Sequence, residues 1–175
     1  MKRCVTMKMI SDIFPILGEP NIVALLVRTV LVIICAGVIG YDRDAHGSPA
    51  GFRTHILVCM GAMIAMSTGQ FAALNFTTDV TRIGAQVVSG IGFLGAGSII
   101  VNKRRITGLT TAAGLWASAC IGLAIGIGFY EGAIVGTVAV WFTERVLRGV
   151  SQRIRESHDM QDAHRSETQD DHIAE

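Results

Sequence analysis

The sequence predicts an all-α fold, a polytopic transmembrane helical bundle of about five glycine-rich helices with a short cytoplasmic tail. Half of its 175 residues are hydrophobic and only 17% are charged, and the mean hydropathy of +0.48 is too high for an ordinary soluble domain. The charges are confined to short islands, and several intervals between them approach the roughly 20 residues that cross about 30 Å of hydrocarbon. Glycine occurs 20 times, mostly inside these intervals.

These intervals define the domain organisation that we expect. An N-terminal flanking segment (1–21) precedes a transmembrane domain (22–148), and a partly disordered tail (149–175) follows it. The last two intervals form one apolar run of 34 residues that is interrupted only by Glu131. A single helix of that length would measure about 50 Å, so a hairpin that turns at "GFYEG" is predicted. The five predicted spans are Ile22 to Gly40, Ile56 to Leu74, Gly84 to Val101, Leu109 to Ile127 and Gly128 to Phe142.

The first span is interpreted as a retained helix and not as a cleavable signal peptide. It begins late, lacks a small-residue cleavage site and contains Arg28. Polar residues inside spans are candidates for function. Arg28 lies about one third of the way into its span, and we expect it to snorkel outward, with pairing inside the bundle as the alternative. Gln70 and Gln86 are uncharged, and their expected role is interhelical hydrogen bonding worth about 1 kcal/mol or less.

The loop after the first span, "GYDRDAHGSPAGFRTH", is dense in charged and polar residues. Gly47 to Gly51 contains Pro49 and indicates a tight turn, so Asp42 and Arg53 are expected to face each other across it. The sequence therefore predicts a functional polar cluster of Asp42, Arg43, Arg53 and His55 at the cytoplasmic membrane face. A solvated charged turn is the alternative.

The third span contains "GIGFLG", which matches the dinucleotide-binding fingerprint G-x-G-x-x-G letter by letter. That chemistry needs a preceding strand, a following helix and an acidic residue about 20 positions later. The chain has no acidic residue between Asp79 and Glu131, and the glycines lie in an uncharged run. The fingerprint is therefore rejected, and no cofactor is expected.

The glycines are better explained by helix packing, because small residues let backbones approach closely in lipid. Small residues recur at spacings of three and four in the second, third and fourth spans. An alternative is that the glycines loosen the third helix and free its carbonyls for ion binding, as in transporters with discontinuous helices. The predicted packing residues are Gly61, Gly69, Ala85, Ser89, Gly92, Ala96, Gly114, Ser118, Gly122 and Gly126.

Basic residues set the predicted orientation, since cytoplasmic loops carry an excess of lysine and arginine. One side of a five-span protein would hold four of them: Lys2, Arg3, Lys8 and Arg82. The other side would hold nine: Arg43, Arg53, Lys103, Arg104, Arg105, Arg145, Arg148, Arg153 and Arg155. The sequence thus predicts a multi-pass inner-membrane protein with a periplasmic N-terminus and a cytoplasmic C-terminus.

No metal site is predicted. The four cysteines show no C-x-x-C spacing, and three of them fall within spans. In the tail, Arg145 to Arg155 has the spacing of an interfacial helix, and the residues beyond Glu156 are expected to be disordered. Three tail histidines lie among acidic residues at spacings that fit no defined metal site: His158, His164 and His172.

Four ordered motifs resemble the MgtC/SapB family of bacterial inner-membrane proteins: "IGYDRD", "AGFRTHILVCMGA", "RIGAQVVSGIGFLGAGSI" and "GLTTAAGLWASACIGLAIGIGFY". The resemblance covers about Arg28 to Arg148. It implies a five-helix membrane domain and an association with growth under magnesium limitation, and in some pathogens with virulence through survival inside host cells. The family usually has Glu-Arg where this chain has Asp42-Arg43. Longer members add a soluble cytoplasmic domain, for which this tail is too short.

Two classes of function follow from these observations. No nucleophile, base and orienting acid form a recognisable set, so the chain is not expected to be an enzyme. We expect a regulatory module that acts through membrane protein partners in adaptation to low magnesium or intracellular stress. The alternative is an oligomeric Mg²⁺ or other ion transporter or channel, although Mg²⁺ needs oxygen ligands and no acid lies mid-span. The expected partners are membrane lipids, other inner-membrane proteins and further copies of the chain, without nucleic acid.

Overall fold

The fold is a helical bundle, as predicted. A computed structural model describes residues 21–102 and 105–147. The chain divides into two compact units, Met1–Val140 and Trp141–Glu175. The described elements are helices α1 (Ile22–Ala45), α2 (Phe52–Asn75) and α3 (Thr81–Gly97), the antiparallel strands β1 (Ile100–Asn102) and β2 (Arg105–Thr107), helix α4 (Leu109–Ile127) and helix α5 (130–147).

Three helices of the described part are long and apolar enough to cross a membrane, namely α1, α2 and α4. The outer face of α1 exposes large hydrophobic side chains, including Ile22, Leu26 and Ile34. A protein in water rarely leaves so much apolar surface uncovered, whereas lipid tails cover it. The chain is therefore a membrane protein.

The predicted C-terminal end of the third span is wrong. Helix α3 has 17 residues and ends at Gly97 instead of continuing to Val101. Val101 lies in β1, where it pairs with Ile106 of β2. Two β-branched residues, Ile100 and Val101, follow the glycine-rich end of the helix, and such residues favour an extended backbone. The short hairpin then turns the chain into α4.

Local capping explains where the other helices begin and end. The side chain of Asn21 accepts a hydrogen bond from the Ala24 amide at 2.8 Å, which caps α1. The Asp44 carboxylate accepts one from the Phe52 amide at 3.2 Å at the start of α2. Helix α4 ends at Gly128, whose φ of +89° lies in the left-handed region that glycine adopts without strain. The long apolar run thus breaks within the predicted "GFYEG" turn.

Helix α4 lies at the centre of the bundle, where it packs mainly against α2 and also contacts α1 and α3. A side chain at Gly122 would collide with the carbonyl oxygen of Cys59, and a Cβ atom at Gly126 would lie 2.6 Å from that of Met63. The backbones of α2 and α4 therefore touch along this line, as small residues permit in membrane helices.

The described part of the second unit is the stretch 141–147, which is helical. Within it, the Arg145 guanidinium lies 5.6 Å from the ring centroid of Trp141. The N-terminal flanking segment before residue 21, the tail 149–175 with its three histidines, and Cys4 lie outside the described residues, so the predictions for them stay predictions.

Candidate functional site

A group of polar side chains, most of them buried, lies where α1 ends and where α2 and α4 begin. We call it the Arg43 cluster, and its members are Asp42, Arg43, His46, Ser48, His55, Thr111 and Ser118. The Arg43 side chain is only 7% exposed, and its Nη2 donates hydrogen bonds to Ser48 Oγ at 2.7 Å and to Thr111 Oγ1 at 2.9 Å. Asp42 is 4% exposed, and its carboxylate lies 3.8 Å from His46 Nδ1.

In the Arg43 cluster, one ring nitrogen and one guanidinium nitrogen have no hydrogen-bond partner among the described residues. The His55 side chain is fully buried, and its Nδ1 shares a hydrogen bond of 2.8 Å with Ser118 Oγ. Within the described residues, neither His55 Nε2 nor Arg43 Nε has a hydrogen-bond partner, although both atoms are shielded from solvent. Such buried unpaired groups are uncommon in folded proteins and need an explanation.

The structure places Arg53 outside the cluster, so the predicted Asp42–Arg53 pair is wrong. Arg53 is exposed, and between these two residues there is no ion pair. The reason is geometric: α2 begins at Phe52, so Arg53 and His55 are two positions apart on a helix, or about 200° around its axis. One of them must face out when the other faces the core.

Three members of the cluster were not anticipated as partners of Arg43 and His55. Ser48 lies in the turn before α2, while Thr111 and Ser118 lie seven residues apart on one side of α4. Hydroxyl residues on one face of an apolar helix are a signal for such contacts, because polar groups inside a membrane domain need partners. Ser118 was predicted only as a small packing residue.

A second buried polar group surrounds Arg28 toward the opposite ends of these helices. Its side chain is fully buried, so the predicted snorkelling is wrong. Its Nη1 donates to Ser67 Oγ at 3.1 Å, to Gln70 Oε1 at 3.0 Å and to the Gly126 carbonyl at 2.9 Å. Its Nε donates to Tyr130 Oη at 3.4 Å. Acceptors from three other helices, including a carbonyl at the negative end of α4, hold the cation inside.

The predicted packing residues fall into two groups. We call a row of small residues at spacings of three or four along a helix a ladder. On α4 all four members of the ladder are buried, namely Gly114, Ser118, Gly122 and Gly126. Gly69 of α2 is buried against the Val80 carbonyl at 3.0 Å. Gly61 of α2 is exposed, as is Gln86 of α3. The four α3 residues of the ladder are exposed as well: Ala85, Ser89, Gly92 and Ala96.

Helix α3 uses a different face inside the chain, which corrects the prediction for this span. Its buried residues are Gly84, Ile91 and Gly95. A Cβ atom at Gly84 would lie 3.0 Å from the Met66 sulfur, and one at Gly95 would lie 3.6 Å from Ala112 Cβ. The sequence of α3 carries small residues on two sides, and spacing alone could not decide which side faces α2 and α4.

No metal centre is found in the described part of the chain, where no group of three or more histidine, cysteine or acidic residues could hold an ion. Three cysteines there are free thiols: Cys35, Cys59 and Cys120.

The fold and its two buried arginines define a polytopic helical membrane protein. The chain belongs to the MgtC family, whose sequence model matches residues 29–153. This confirms the resemblance that the four motifs indicated.

Curated relatives agree with this assignment. The chain is 39% identical over 135 residues to the Escherichia coli K12 protein named "Putative magnesium transporter YhiD", and the match covers 74% of this chain and 63% of the relative. It is 39% identical over 134 residues to "Protein MgtC" of Salmonella typhimurium, covering 75% of this chain and 55% of the relative. The chain thus spans less than two thirds of the length of these relatives. No solved structure gives a significant match.

Proposed function

We propose that this chain is a regulatory module of the bacterial inner membrane, which acts by binding other membrane proteins during adaptation to low magnesium or intracellular stress. In this proposal the N-terminus is periplasmic, the C-terminus is cytoplasmic and the single chain conducts no ion. The observation that carries the proposal is the burial of Arg28 and Arg43, at opposite ends of α1, inside the bundle.

These two arginines oppose a cation path through the chain. They are 15 residues apart on α1, or about 22 Å along its axis. A divalent cation at roughly 4 Å from the Arg43 guanidinium would be repelled by about 8 kcal/mol at an effective dielectric constant of about 20, as long as no bound anion neutralises this guanidinium. Between the arginines, α1 buries apolar side chains such as Val32, Ala36 and Ile39. Mg²⁺, which dehydrates reluctantly, has no oxygen ligands along this stretch of α1 side chains.

The exposed ladder of α3 supports binding to a partner helix. On α4, the same kind of ladder brings two backbones into contact, as Gly122 and Cys59 demonstrate. On α3, a Cβ atom at Gly92 would meet nothing within 4 Å. Because small residues are what allows helices to associate closely in lipid, the occupant that we propose is a transmembrane helix of a partner protein.

The test compares two substitutions on α3. Gly92 and Gly97 are both open to their surroundings, and they lie five residues apart, or about 140° around the helix. We expect Gly92→Leu to abolish support of growth at low magnesium, because the leucine blocks close approach of a partner helix. Gly97→Leu, the matched control, should retain it. Neither variant should unfold at a lower temperature than the unsubstituted chain, and equal growth of both would contradict the proposal.

The second candidate is an oligomeric transporter of Mg²⁺ or another ion, with the path between chains. It is favoured by the name of the Escherichia coli relative, "Putative magnesium transporter YhiD". Measurement of Mg²⁺ influx into liposomes that contain only the purified chain separates the two candidates. Influx that exceeds protein-free liposomes and scales with protein content would favour transport over the regulatory module.

A further inference from the structure

Arg43 is a buried cation without a counter-ion in the described part of the chain. Its side chain is 93% shielded from solvent, and no carboxylate oxygen of a described residue lies within 4.0 Å of it. Its two hydrogen-bond partners, Ser48 and Thr111, are neutral hydroxyls. A buried charge is strongly destabilising unless an opposite charge and a full set of hydrogen bonds compensate it.

The nearby acidic residues are occupied elsewhere. The Asp42 carboxylate lies beside His46, and the Asp44 carboxylate caps the first amide of α2 at Phe52. A Cβ atom at Gly51 would collide with Asp44, so this carboxylate is held against the turn that leads into α2. No carboxylate of the described residues lies close enough to compensate Arg43, which leaves this role open to an anion that binds to the protein.

The unpartnered Arg43 Nε gives that anion a place to bind. Guanidinium groups bind phosphate through charged N–H donors, and Nε–H is a donor of Arg43 that the protein leaves unused, whereas both hydrogens of Nη2 go to Ser48 and Thr111. The hydroxyl groups of Ser48 and Thr111 lie 3.3 Å apart beside Nη2, and either can rotate to donate to a phosphate oxygen. Ser48 is only half-buried, so the cluster is open to the surface at this side chain.

The depth of Arg43 indicates where the anion comes from. Arg43 follows Ile22 by 21 residues on one continuous helix, a distance of about 32 Å. The hydrocarbon of a bilayer is about 30 Å thick, so Arg43 lies at the level of the lipid phosphates when the start of α1 is at the opposite boundary. Anionic lipids concentrate on the cytoplasmic leaflet, which is the side that the basic residues predict for this end of the bundle.

We propose that the Arg43 cluster binds a phosphate group, the headgroup phosphate of an anionic phospholipid, through Arg43, Ser48 and Thr111. The bound phosphate neutralises the guanidinium and accepts a hydrogen bond from Nε. This site does not depend on the regulatory function proposed above.

Thermal unfolding of the full chain in detergent tests the site, with phosphatidylglycerol, phosphatidylcholine or sodium phosphate added. We expect phosphatidylglycerol, well above its dissociation constant, to raise the unfolding temperature by about 5 °C or more. Phosphatidylcholine, whose phosphate is balanced by choline, should give less than half of this shift. Arg43→Gln should remove the shift. Arg53→Gln, which replaces an exposed arginine at the start of α2, on the same side of the bundle, should keep it.

Arg43→Gln also distinguishes this site from a purely structural role. Without lipid, the variant should unfold at the same or a higher temperature than the unsubstituted chain, because an uncompensated charge has been removed. Ser48→Ala provides a second variant at a half-buried position, and it should lose at least half of the lipid shift while the lipid-free unfolding temperature stays within about 1 °C of the original.

The three added compounds distinguish the possible sources of the phosphate. A shift with sodium phosphate that requires Arg43 supports the phosphate site and assigns its source to soluble phosphate. Equal shifts with phosphatidylglycerol and phosphatidylcholine, or a phosphatidylglycerol shift that persists in both Arg43→Gln and Ser48→Ala, would overturn the proposal. Strong destabilisation of Arg43→Gln without lipid would also overturn it.

Discussion

Replacing Gly122 by alanine adds one methyl group at the closest contact between α2 and α4. The methyl would collide with the Cys59 carbonyl oxygen and lie 3.0 Å from Ala62 Cβ. A carbonyl within a helix cannot turn aside as a flexible side chain can, so the two helices must separate. Overpacking of this kind costs about 1–3 kcal/mol, while the glycine-to-alanine change returns about 0.5–1 kcal/mol through helix propensity. We therefore expect a net destabilisation of about 1–2 kcal/mol.

Gly92→Ala is the matched control, because a methyl group at this helical position meets nothing within 4 Å. Only the gain in helix propensity remains there, about 0.5–1 kcal/mol of stabilisation. The two substitutions are chemically identical, yet their effects should have opposite signs. For a chain of this size, the expected shifts are a fall of roughly 2–8 °C for Gly122→Ala and a rise of roughly 1–4 °C for Gly92→Ala.

The assay is thermal unfolding of each purified variant in the same detergent, followed by circular dichroism. Helix signal at low temperature confirms that each variant is folded before heating. Shifts of the same sign and size for the two variants would refute the packing that we derive from the structure. A similar destabilisation of both variants would indicate that the α3 ladder packs within the chain in the same way as the α4 ladder.

Three further predictions concern the polar residues and the turn before α4. Arg28→Met should destabilise the chain by about 2 kcal/mol or more, because Gln70 and the Gly126 carbonyl lose a buried donor. Urea unfolding of the detergent-solubilised chain measures this free energy. The stability of Arg28→Lys should fall between that of Arg28→Met and that of the unsubstituted chain. Gly108→Ala should lower the unfolding temperature more than Gly97→Ala does, since Gly108 has a φ of +88° and touches the Ser98 carbonyl. Asp42→Asn, at a buried position, should impair growth at low magnesium more than Arg53→Gln, at an exposed one. Immunoblots compare the membrane abundance of the two variants. Equal growth defects would show that burial does not decide which of these residues matters for growth.

The membrane spans could be predicted from the sequence because they depend on length and composition. Charged residues lie near the ends of α1 and α2, and the glycines of "GFYEG", Gly128 and Gly132, mark the break between α4 and α5. The end of α3 was harder to place, because Ile100 and Val101 are as apolar as a membrane helix requires. Their pairing with β2 is a tertiary contact that hydropathy does not report.

The candidate sites could be predicted only in part, and each error has a physical cause. Arg28 is buried because acceptors 39, 42, 98 and 102 residues away converge on it, and no local pattern encodes that convergence. The separation of Arg53 from His55 follows from helical geometry, but only once α2 is known to start at Phe52 and not at Ile56. The α3 ladder has the spacing of a packing face, yet spacing does not reveal which neighbour it would face.

The partners of Arg28 also constrain how the chain is made. Helix α1 leaves the ribosome before the other described helices and enters the bilayer with an arginine that costs up to about 2.5–3.5 kcal/mol at the centre of a span. Its mean hydropathy of 2.8, the highest of the three candidate spans, is sufficient to carry that residue in. Tyr130 is synthesised 102 residues later, which at about 5–20 residues per second means roughly 5–20 s. Only hydrophobicity holds α1 in the membrane until Ser67 and Gln70 of α2 arrive, 39 and 42 residues after Arg28. The last of the four acceptors follows when the hairpin of α4 and α5 is inserted.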